Sequence, residues 1–401
     1  MSARAVRRHC QPLMARAQAG QARHFTWHPE RMAVVAAYVT NQIRERYPDL
    51  RVPPHGVWRR FEAQGVDRWG AVAQEHGLAA QGARLERARA RIDLAVTTAL
   101  LGAHVLSHWH FRDAVSGHTL MGSEAISVAS LRWWSAGALS SDPHQPCRTD
   151  AVALERLLTP DLAMALQVGP DNPLPGLEAR ANVLRQLALA MRAHPDLFGC
   201  PGQPDLLRPG HLLDALFQRC PSGQLAAADL HDLLLYALGT VWPHEALRTG
   251  VPMGDCWPHP DAPDGWVPFH QVSQWLTYSL LEPLAEVGLS LTGLEELTGL
   301  PDTRQGGLLL DLGLLQARDR AFHTTRWRPG DEPIVEWRAL TVVIMDHLAE
   351  AVRGELGLGP EQFPLARVLE GGSWAAGRRI ALAKRPGGPP PVLLDSDGTL
   401  F

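Results

Sequence analysis

The stretch FHQVSQWLTYSLLEPLAE, residues 269–286, has the period of an amphipathic helix and sets the expectation for the fold. Phe269, Val272 and Leu276 recur at steps of three and four residues, which places them on one face, directed to the core. The flank beside that face is polar and contains His270, Gln271, Gln274 and Tyr278. Gln274 and Tyr278 are one helical turn apart, so they are placed to hold one ligand together.

The same period recurs along the chain, whereas alternating strand patterns are scarce. Helices are predicted at residues 31–47, 78–106, 122–135 and 177–192, and from residue 334 onwards. A short β hairpin is predicted around Arg326–Pro333. We therefore expect a mostly α, compact multi-helical fold with little β structure.

The chain begins with a basic segment, residues 1–30, in which Glu30 is the first acidic residue. A docked or frayed N-terminal helix is one interpretation of this segment, and a transit peptide is the other. Residues 31–401 are predicted to form a single helical catalytic domain, or two lobes that meet at a site within residues 251–338.

The composition is typical of a folded protein with a large core: 401 residues, 45% hydrophobic and 20% charged. A net charge of −4 supplies no basic field, so nucleic acid is not expected as a partner. Lys384 is the only lysine, which excludes a GK[ST] phosphate loop and disfavours Schiff-base chemistry. Five scattered cysteines and the lack of a long apolar run predict a cytoplasmic protein with no membrane partner.

Two further polar clusters lie where helices are predicted to begin. Asp302 and Arg304 belong to the turn PDTRQGG, residues 301–307, and Glu336 and Arg338 belong to VEWR, residues 335–338. Because helix N termini favour anions, two carboxylates and two guanidiniums there suit the cleavage of a small anionic, sugar-like molecule. The structural alternative is an ion pair of Glu336 or Arg338 with Asp302, Arg304 or each other.

Three other residues are candidate ligand contacts. Ser141 and Asp142, in SSDP at residues 140–143, suit sugar hydroxyls, but they suit a turn or a helix cap equally well. Trp257 lies in the Pro- and Gly-rich stretch 251–268, which we interpret as a packed loop able to cover a cleft.

A histidine cluster offers an alternative site. His104 and His108 have the i, i+4 spacing of metal ligands on one helix face, and His110 follows two residues later. No acidic residue stands in the HExxH position, so solvated or core-edge histidines are the simpler interpretation. We expect neither a metal nor another cofactor.

Long motifs resemble the uracil-catabolism protein four family, a domain of unknown function in fungal and bacterial uracil breakdown. The similarity runs from about Pro54 to Phe401. The stretches that carry it are WRRFE (58–62), GVDRW (65–69), SSDP (140–143), PDNPL (170–174), PFH (268–270), SQWL (273–276), GGLLLDLG (306–313), VEWRALT (335–341) and EGGSWAAGR (370–378).

A more distant resemblance links FHQVSQ (269–274), residues 297–304 and EWRA (336–339) to the queuosine-salvage proteins. These are all-α nucleotide N-glycosylases related to helix-hairpin-helix DNA glycosylases, so the resemblance implies a similar fold. It places their catalytic carboxylate at Asp302 and their lysine at Gln271, so Arg304 or Arg338 would have to supply the positive charge.

The resemblance implies a reaction at the three polar clusters. Asp302 would stabilise an oxocarbenium-like transition state and activate water, while Glu336 would protonate or anchor the leaving group. Arg304 and Arg338 would bind a 5′-phosphate. The residues that would stack on or enclose the ligand are Trp275, Tyr278 and Trp257.

The resemblance implies a route of uracil breakdown that opens the ring and leaves a urea fragment on a ribose. We therefore hypothesise that the protein hydrolyses ribosylurea, or its 5′-phosphate, to urea and ribose or ribose 5-phosphate. One alternative is a metal-dependent amidohydrolase that uses His104, His108 and His110 on an opened pyrimidine. Another is a non-catalytic binding or scaffold protein of the same pathway.

Overall fold

The computed structural model describes residues 2–105, 108–200, 202–203, 205–242, 247–248 and 251–401. Helices dominate the described residues. They are α1 (Ala3–Gln18), α2 (Met32–Arg46), α3 (Trp58–Phe61), α4 (Arg68–Glu75), α5 (Arg84–Leu101), α6 (Gly122–Ser135), α7 (Ala151–Glu155), α8 (Thr159–Ala165), α9 (Leu177–Ala193), α10 (Pro195–Phe198), α11 (Leu212–Arg219), α12 (Ala227–Leu238), α13 (Gln271–Glu286), α14 (Thr303–Asp311), α15 (Glu332–Leu356), α16 (Leu365–Val368) and α17 (Trp374–Lys384).

The strands are two or three residues long. They are β1 (Phe25–Trp27), β2 (His110–Arg112), β3 (Thr119–Met121), β4 (Gln224–Ala226), β5 (Leu247–Arg248), β6 (Val251–Pro252), β7 (Cys256–Pro258), β8 (Trp266–Pro268), β9 (Ser290–Thr292), β10 (Leu315–Ala317), β11 (Arg326–Trp327) and β12 (Leu393–Leu394). The mostly α fold predicted from the sequence is confirmed.

Helix bounds follow the apolar period closely. The prediction from residue 122 to 135 coincides with α6, and those at 31–47 and 177–192 agree with α2 and α9 to within a residue. The helix predicted at 78–106 is shorter, because α5 begins at Arg84 and ends at Leu101 before Gly102. Its predicted last residue, Leu106, lies outside the described residues.

The single hairpin predicted around residues 326–333 does not form. There, Arg326 and Trp327 pair in parallel with Leu393 and Leu394 instead of folding back on their own neighbours. Local hairpins do form elsewhere, between β2 and β3 and between β7 and β8. Turn residues after Trp327 suggested a hairpin, but the partner strand comes from the C-terminal part of the chain.

The chain forms two compact units. Unit 1 comprises residues 1–55, 255–278 and 293–395, and unit 2 comprises residues 56–254, 279–292 and 396–401. The helix α13 therefore belongs to unit 1 up to Tyr278 and to unit 2 from Ser279 onwards.

The long helix α15 is the centre of unit 1. Its residues 334–345 are all buried, because α1, α2 and α14 pack around its first half. The basic N-terminal segment contributes α1, whose buried face includes Val6, Cys10 and Leu13. Arg7 on α1 donates from Nε to Asp346 on α15 at 2.7 Å.

Unit 2 is built around α5, whose second half is buried almost without interruption. Buried ion pairs connect its segments, as where Arg208 Nε donates to Asp93 at 2.9 Å and Arg68 Nε donates to Asp113 at 2.7 Å. Among the residues that the structure describes, no helix is long and apolar enough to cross a membrane.

Candidate active site

The start of α13 is held by a buried carboxylate that the sequence did not single out. Asp255 Oδ1 accepts from Trp257 Nε1 and from Arg338 NH1, both at 2.8 Å. Its Oδ2 accepts from Arg338 NH2 at 2.8 Å and from the backbone N–H of Gln271 at 3.1 Å. Burial raises the pKa of Asp255, but the charge of Arg338 and these hydrogen bonds outweigh it and hold the pKa below its usual value.

Arg338 is therefore the ion-pair partner of Asp255. Its guanidinium is fully buried, lies 4.1 Å from the ring centroid of Phe269, and forms a bidentate pair with the carboxylate. The sequence led us to expect Arg338 at a ligand phosphate or in an ion pair with Asp302 or Glu336. The correction has a physical reason: a buried guanidinium needs a buried counter-ion, and Asp255 supplies it from another segment.

Gln274 and Tyr278 are also used inside unit 1. The Gln274 amide donates from Nε2 to Phe269 O at 3.0 Å and accepts from Thr298 N at 2.9 Å and Thr298 Oγ1 at 3.0 Å. The buried Tyr278 hydroxyl donates to Thr298 O at 3.1 Å. These two residues, expected to hold one ligand together, instead fasten α13 to the segment before α14.

His270 carries backbone strain at the same helix start. Its φ is 48°, in the left-handed region that a non-glycine residue rarely adopts, and its side chain is buried. Such strain is a feature of functional sites. Trp257 and Trp275 are buried close by in the chain, and the Trp257 ring packs on Gly330, where a Cβ would meet it.

Glu336 lies in a buried polar group near the start of α15. Its carboxylate accepts from the backbone N–H of His24 at 3.1 Å, and His259 Nε2 lies 3.9 Å from its Oε2. Asp261 N donates to His259 Nδ1 at 3.1 Å, so the neutral imidazole carries its proton on Nε2, facing Glu336. Burial raises the pKa of Glu336 and lowers that of His259.

Asp302 is the N-cap of α14. Its Oδ1 accepts from the backbone N–H groups of Arg304 and Gln305, both at 2.8 Å, and the residue is only partly buried. Arg304 is also partly buried, and its NH1 donates to Gly388 O at 2.7 Å. The two backbone N–H groups fix the carboxylate in one orientation.

The Asp302 turn and the Glu336–Arg338 segment are neighbours. Trp337 Nε1 donates to Gly306 O at 3.2 Å, and a Cβ at Gly306 would lie 2.5 Å from the Trp337 ring. Only glycine allows α14 to approach α15 this closely. The three polar clusters singled out in the sequence thus all lie in unit 1, around the start of α15.

Ser141 and Asp142 belong to unit 2 and make the hydrogen bonds of a turn. Ser141 donates from its backbone N and its Oγ to Asp150 Oδ2, at 2.7 and 3.0 Å. Asp142 Oδ1 accepts from the backbone N–H of His144 at 2.9 Å. These contacts are those of a turn and a helix cap, the second of the two interpretations that the sequence allowed for Ser141 and Asp142.

The helix face that the alternative metal site would need at His104 and His108 does not form, because α5 ends at Leu101 and both histidines lie beyond it. His110 is in β2, where its backbone bonds to the Asn172 side chain. Within the described part of the chain, no three His, Cys, Asp or Glu side chains are grouped so that they could hold a metal ion.

Residues 1–401, the whole chain, match the family model described as Protein of unknown function (DUF1688). The chain belongs to this family. It is 33% identical over 416 residues to Protein urg3 of Schizosaccharomyces pombe, covering 100% of this chain and 98% of the relative. It is also 33% identical over 419 residues to Uracil catabolism protein 4 of Lachancea kluyveri, covering 95% and 93%. The resemblance to the uracil-catabolism protein four family is confirmed.

Sequence reasoning missed three residues of this DUF1688 member that contact the candidate site residues: Asp255, His259 and Gln305. Gln305 stood in the quoted turn PDTRQGG, but nothing in the turn distinguished it from a capping residue. Asp255 and His259 lie in a Pro- and Gly-rich loop, MGDCWPHP at residues 253–260, where polar residues are ordinary. A carboxylate flanked by Trp257 was the one available signal.

Proposed function

We propose that this protein acts in uracil catabolism as a hydrolase of the N-glycosidic bond of ribosylurea or its 5′-phosphate. The name of one relative, Uracil catabolism protein 4, supports the pathway. The observation that carries the reaction is Asp302, a partly exposed carboxylate oriented by two backbone N–H groups at the start of α14. It stands in the segment that resembles the Asp-x-Arg turn of nucleotide N-glycosylases.

The proposed step is a hydrolysis at C1′ of the ribose. The C1′–N bond breaks and its electron pair leaves with the urea nitrogen, while the oxygen of a water molecule bonds to C1′. Asp302 stabilises the positive charge that develops on the sugar ring, and it accepts the proton that the water loses. The urea nitrogen takes up one proton, so the products are urea and the free sugar.

Glu336 is proposed as the proton donor to the leaving nitrogen. An acid can donate at neutral pH only if its pKa is raised, and burial raises the pKa of Glu336. His259, whose Nε2–H faces Glu336 Oε2 at 3.9 Å, is placed to stabilise the carboxylate that remains after the proton has left.

Arg304 is proposed as the contact of a 5′-phosphate. It is partly exposed at the N terminus of α14, where the helix dipole also favours an anion, whereas Arg338 is paired with Asp255. The substrate is then a small anionic ribosyl compound. No cofactor takes part in the proposed step.

The test is urea release from ribosylurea and from its 5′-phosphate by purified protein. We expect D302N to lose urea release while it keeps its melting temperature and still binds the substrate. Turnover near the wild-type rate in D302N would refute the assignment. Substrate binding without product by the wild-type protein would indicate a non-catalytic binding protein.

A further inference from the structure

Gln305, on the first turn of α14, has a buried carboxamide. The residue has no exposed surface, and neither Nε2 nor Oε1 has a hydrogen-bond partner among the residues that the structure describes. Leaving both a buried donor and a buried acceptor unpaired costs free energy, so native proteins rarely do it without a reason. Leucine would fill the same space without that cost.

Helix capping does not account for Gln305. A glutamine three residues after an N-cap aspartate commonly accepts from the backbone N–H of that aspartate. Here the N–H of Asp302 donates to Leu300 O at 2.8 Å, and the Gln305 amide takes no part. Its backbone N–H, in contrast, donates to Asp302 Oδ1 at 2.8 Å, so the residue that carries the unpaired carboxamide is bonded through its backbone to the candidate catalytic carboxylate.

A second buried polar group lies near the same turn. Ser373 has no exposed surface, and its Oγ lacks a hydrogen-bond partner within the described residues. It ends a π-helical turn, Leu369–Ser373, that leads into α17, and such turns are frequent at functional sites.

The register of α14 and α17 places Ser373 close to Asp302. Gly377 packs against the backbone oxygen of Arg304, and Arg385 NH1 donates to Asp311 at 2.8 Å, so the two helices run in the same direction. Ser373, one turn before Gly377, therefore lies at the level of the Asp302 turn. A buried, unpartnered hydroxyl and a buried, unpartnered carboxamide therefore stand on two segments that pack together near the Asp302 turn.

We propose that Gln305, assisted by Ser373, binds the ureido group of the substrate by a paired hydrogen bond. Gln305 Nε2 donates to the ureido C=O, and Gln305 Oε1 accepts from the ureido N–H that lies on the same side as that oxygen. This pairing satisfies both ends of the carboxamide at once, which a lone hydroxyl or phosphate does not. It rests on the proposed function for the identity of the leaving group.

The geometry of the pair sets the specificity. A terminal –CO–NH2 group has one N–H on the same side as its carbonyl oxygen, whereas a secondary amide is trans and directs its only N–H away. The subsite therefore accepts ureas and primary amides and rejects secondary amides. A site with buried polar groups discriminates strongly against ligands that leave them unpaired.

The test compares methylurea with N-methylacetamide by ligand-observed NMR titration of the whole protein. We expect the wild-type protein to bind methylurea and Q305L to bind it at least tenfold more weakly, with S373A intermediate. N-methylacetamide should bind neither protein. Wild-type affinity for methylurea in Q305L, or equal binding of the two ligands by the wild-type protein, would overturn the proposal.

The matched control is Q274L, the same substitution at a buried glutamine of unit 1 whose amide is fully hydrogen-bonded within the protein. Q305L should melt at the wild-type temperature or above, because it removes unpaired polar groups, whereas Q274L should melt several degrees lower. A Q305L protein destabilised as much as Q274L would also overturn the proposal, since its amide would then have internal partners.

Turnover of ribosylurea separates this proposal from the function on which it rests. If the wild-type protein releases no urea but its methylurea binding depends on Gln305, the hydrolase proposal falls and the subsite stands. If the wild-type protein releases urea and Q305L keeps the same KM, the subsite falls and the hydrolase stands. We expect Q305L to raise KM at least tenfold.

Discussion

Two helix starts in unit 1, those of α13 and α14, have similar polar sequences and opposite hydrogen-bonding states. At each start an aspartate accepts a backbone N–H of the first turn: Asp255 does so for α13 from an earlier segment, and Asp302 does so for α14 as its N-cap. Both carry a fully buried glutamine in the first turn, Gln274 and Gln305.

The difference lies in what the side chains bind. At α13, Asp255 is neutralised by Arg338, and the amide of Gln274 is satisfied at both ends by Phe269 and Thr298. At α14, Asp302 is partly exposed and the Gln305 amide has no partner in the described structure. The polar groups at the start of α13 are paired inside the protein, whereas the unpaired carboxamide at the start of α14 is the one that we propose binds a ligand. Three predictions test this contrast, and a fourth concerns Glu336 of the neighbouring helix α15.

The largest effect is expected on catalysis at α14. D302N keeps the side-chain shape and the cap acceptor but removes the charge, so urea release should fall by about 10²–10⁴-fold, the range for a general base. Initial rates of urea formation measure this. The control D319N, at another N-cap whose side chain accepts from Ala321 N, should leave the rate within about twofold. An equal loss of urea release in D302N and D319N would contradict a catalytic role for Asp302.

The next effect is on stability at α13. R338M removes one partner of a buried ion pair and strands Asp255, which should lower the free energy of unfolding by about 3–5 kcal/mol. Guanidinium denaturation gives this value. The matched control is R379M, because the Arg379–Glu45 pair is largely exposed and should contribute no more than about 1 kcal/mol. A small change in R338M would mean that its charge is held for a ligand.

Two buried hydroxyl groups, on Thr298 and Ser373, extend the comparison of paired and unpaired polar groups. Thr298 Oγ1 donates to Gln274 Oε1 at 3.0 Å, whereas Ser373 Oγ has no partner in the described structure. T298V should therefore cost about 1–3 kcal/mol of unfolding free energy, and S373A should cost less than about 0.5 kcal/mol. Both values come from the same denaturation curves. A larger loss of unfolding free energy in S373A than in T298V would mean that the Ser373 hydroxyl has a hydrogen-bond partner inside the protein.

The smallest effect is a pH dependence at Glu336. Burial raises the pKa of this carboxyl in the folded protein, so the folded state binds more protons than the unfolded state above the usual glutamate pKa. The stabilising contribution is present at low pH and is lost as pH rises through the raised pKa, with a slope of at most about 1.4 kcal/mol per pH unit.

E336Q removes this titration, so its free energy of unfolding, relative to that of the wild-type protein, should rise with pH through that window. Denaturation curves at a series of pH values measure the difference. A difference that stays constant with pH would show that the Glu336 pKa is the same in the folded and unfolded states.

The contacts that decide the site are long-range. Asp255 and Arg338 are 83 positions apart in sequence, and Gln274 and Thr298 are 24 apart. Sequence patterning marked Arg338 and Gln274 as polar residues at helix starts; Gln274 does lie in the first turn of α13, whereas Arg338 lies in the second turn of α15, which begins at Glu332. The pattern left the partners of both residues open. The sequence shows the capping pattern at Asp302 and Gln305. The same pattern occurs whether or not the glutamine side chain makes the capping hydrogen bond, so it could not predict that the Gln305 carboxamide is unpaired.

The sequence by itself determined the mostly α architecture, the bounds of α2, α6 and α9, the family and the three polar clusters. It could do so because a period of 3.6 residues and helix-capping residues act over one or two turns. Only the tertiary structure decided that Arg338 pairs with Asp255 and that Gln274 and Tyr278 hydrogen-bond to Thr298. It also decided that the Gln305 carboxamide has no partner among the described residues. The physical reason is that a buried polar group takes whichever partner the packing of distant segments brings within about 3 Å.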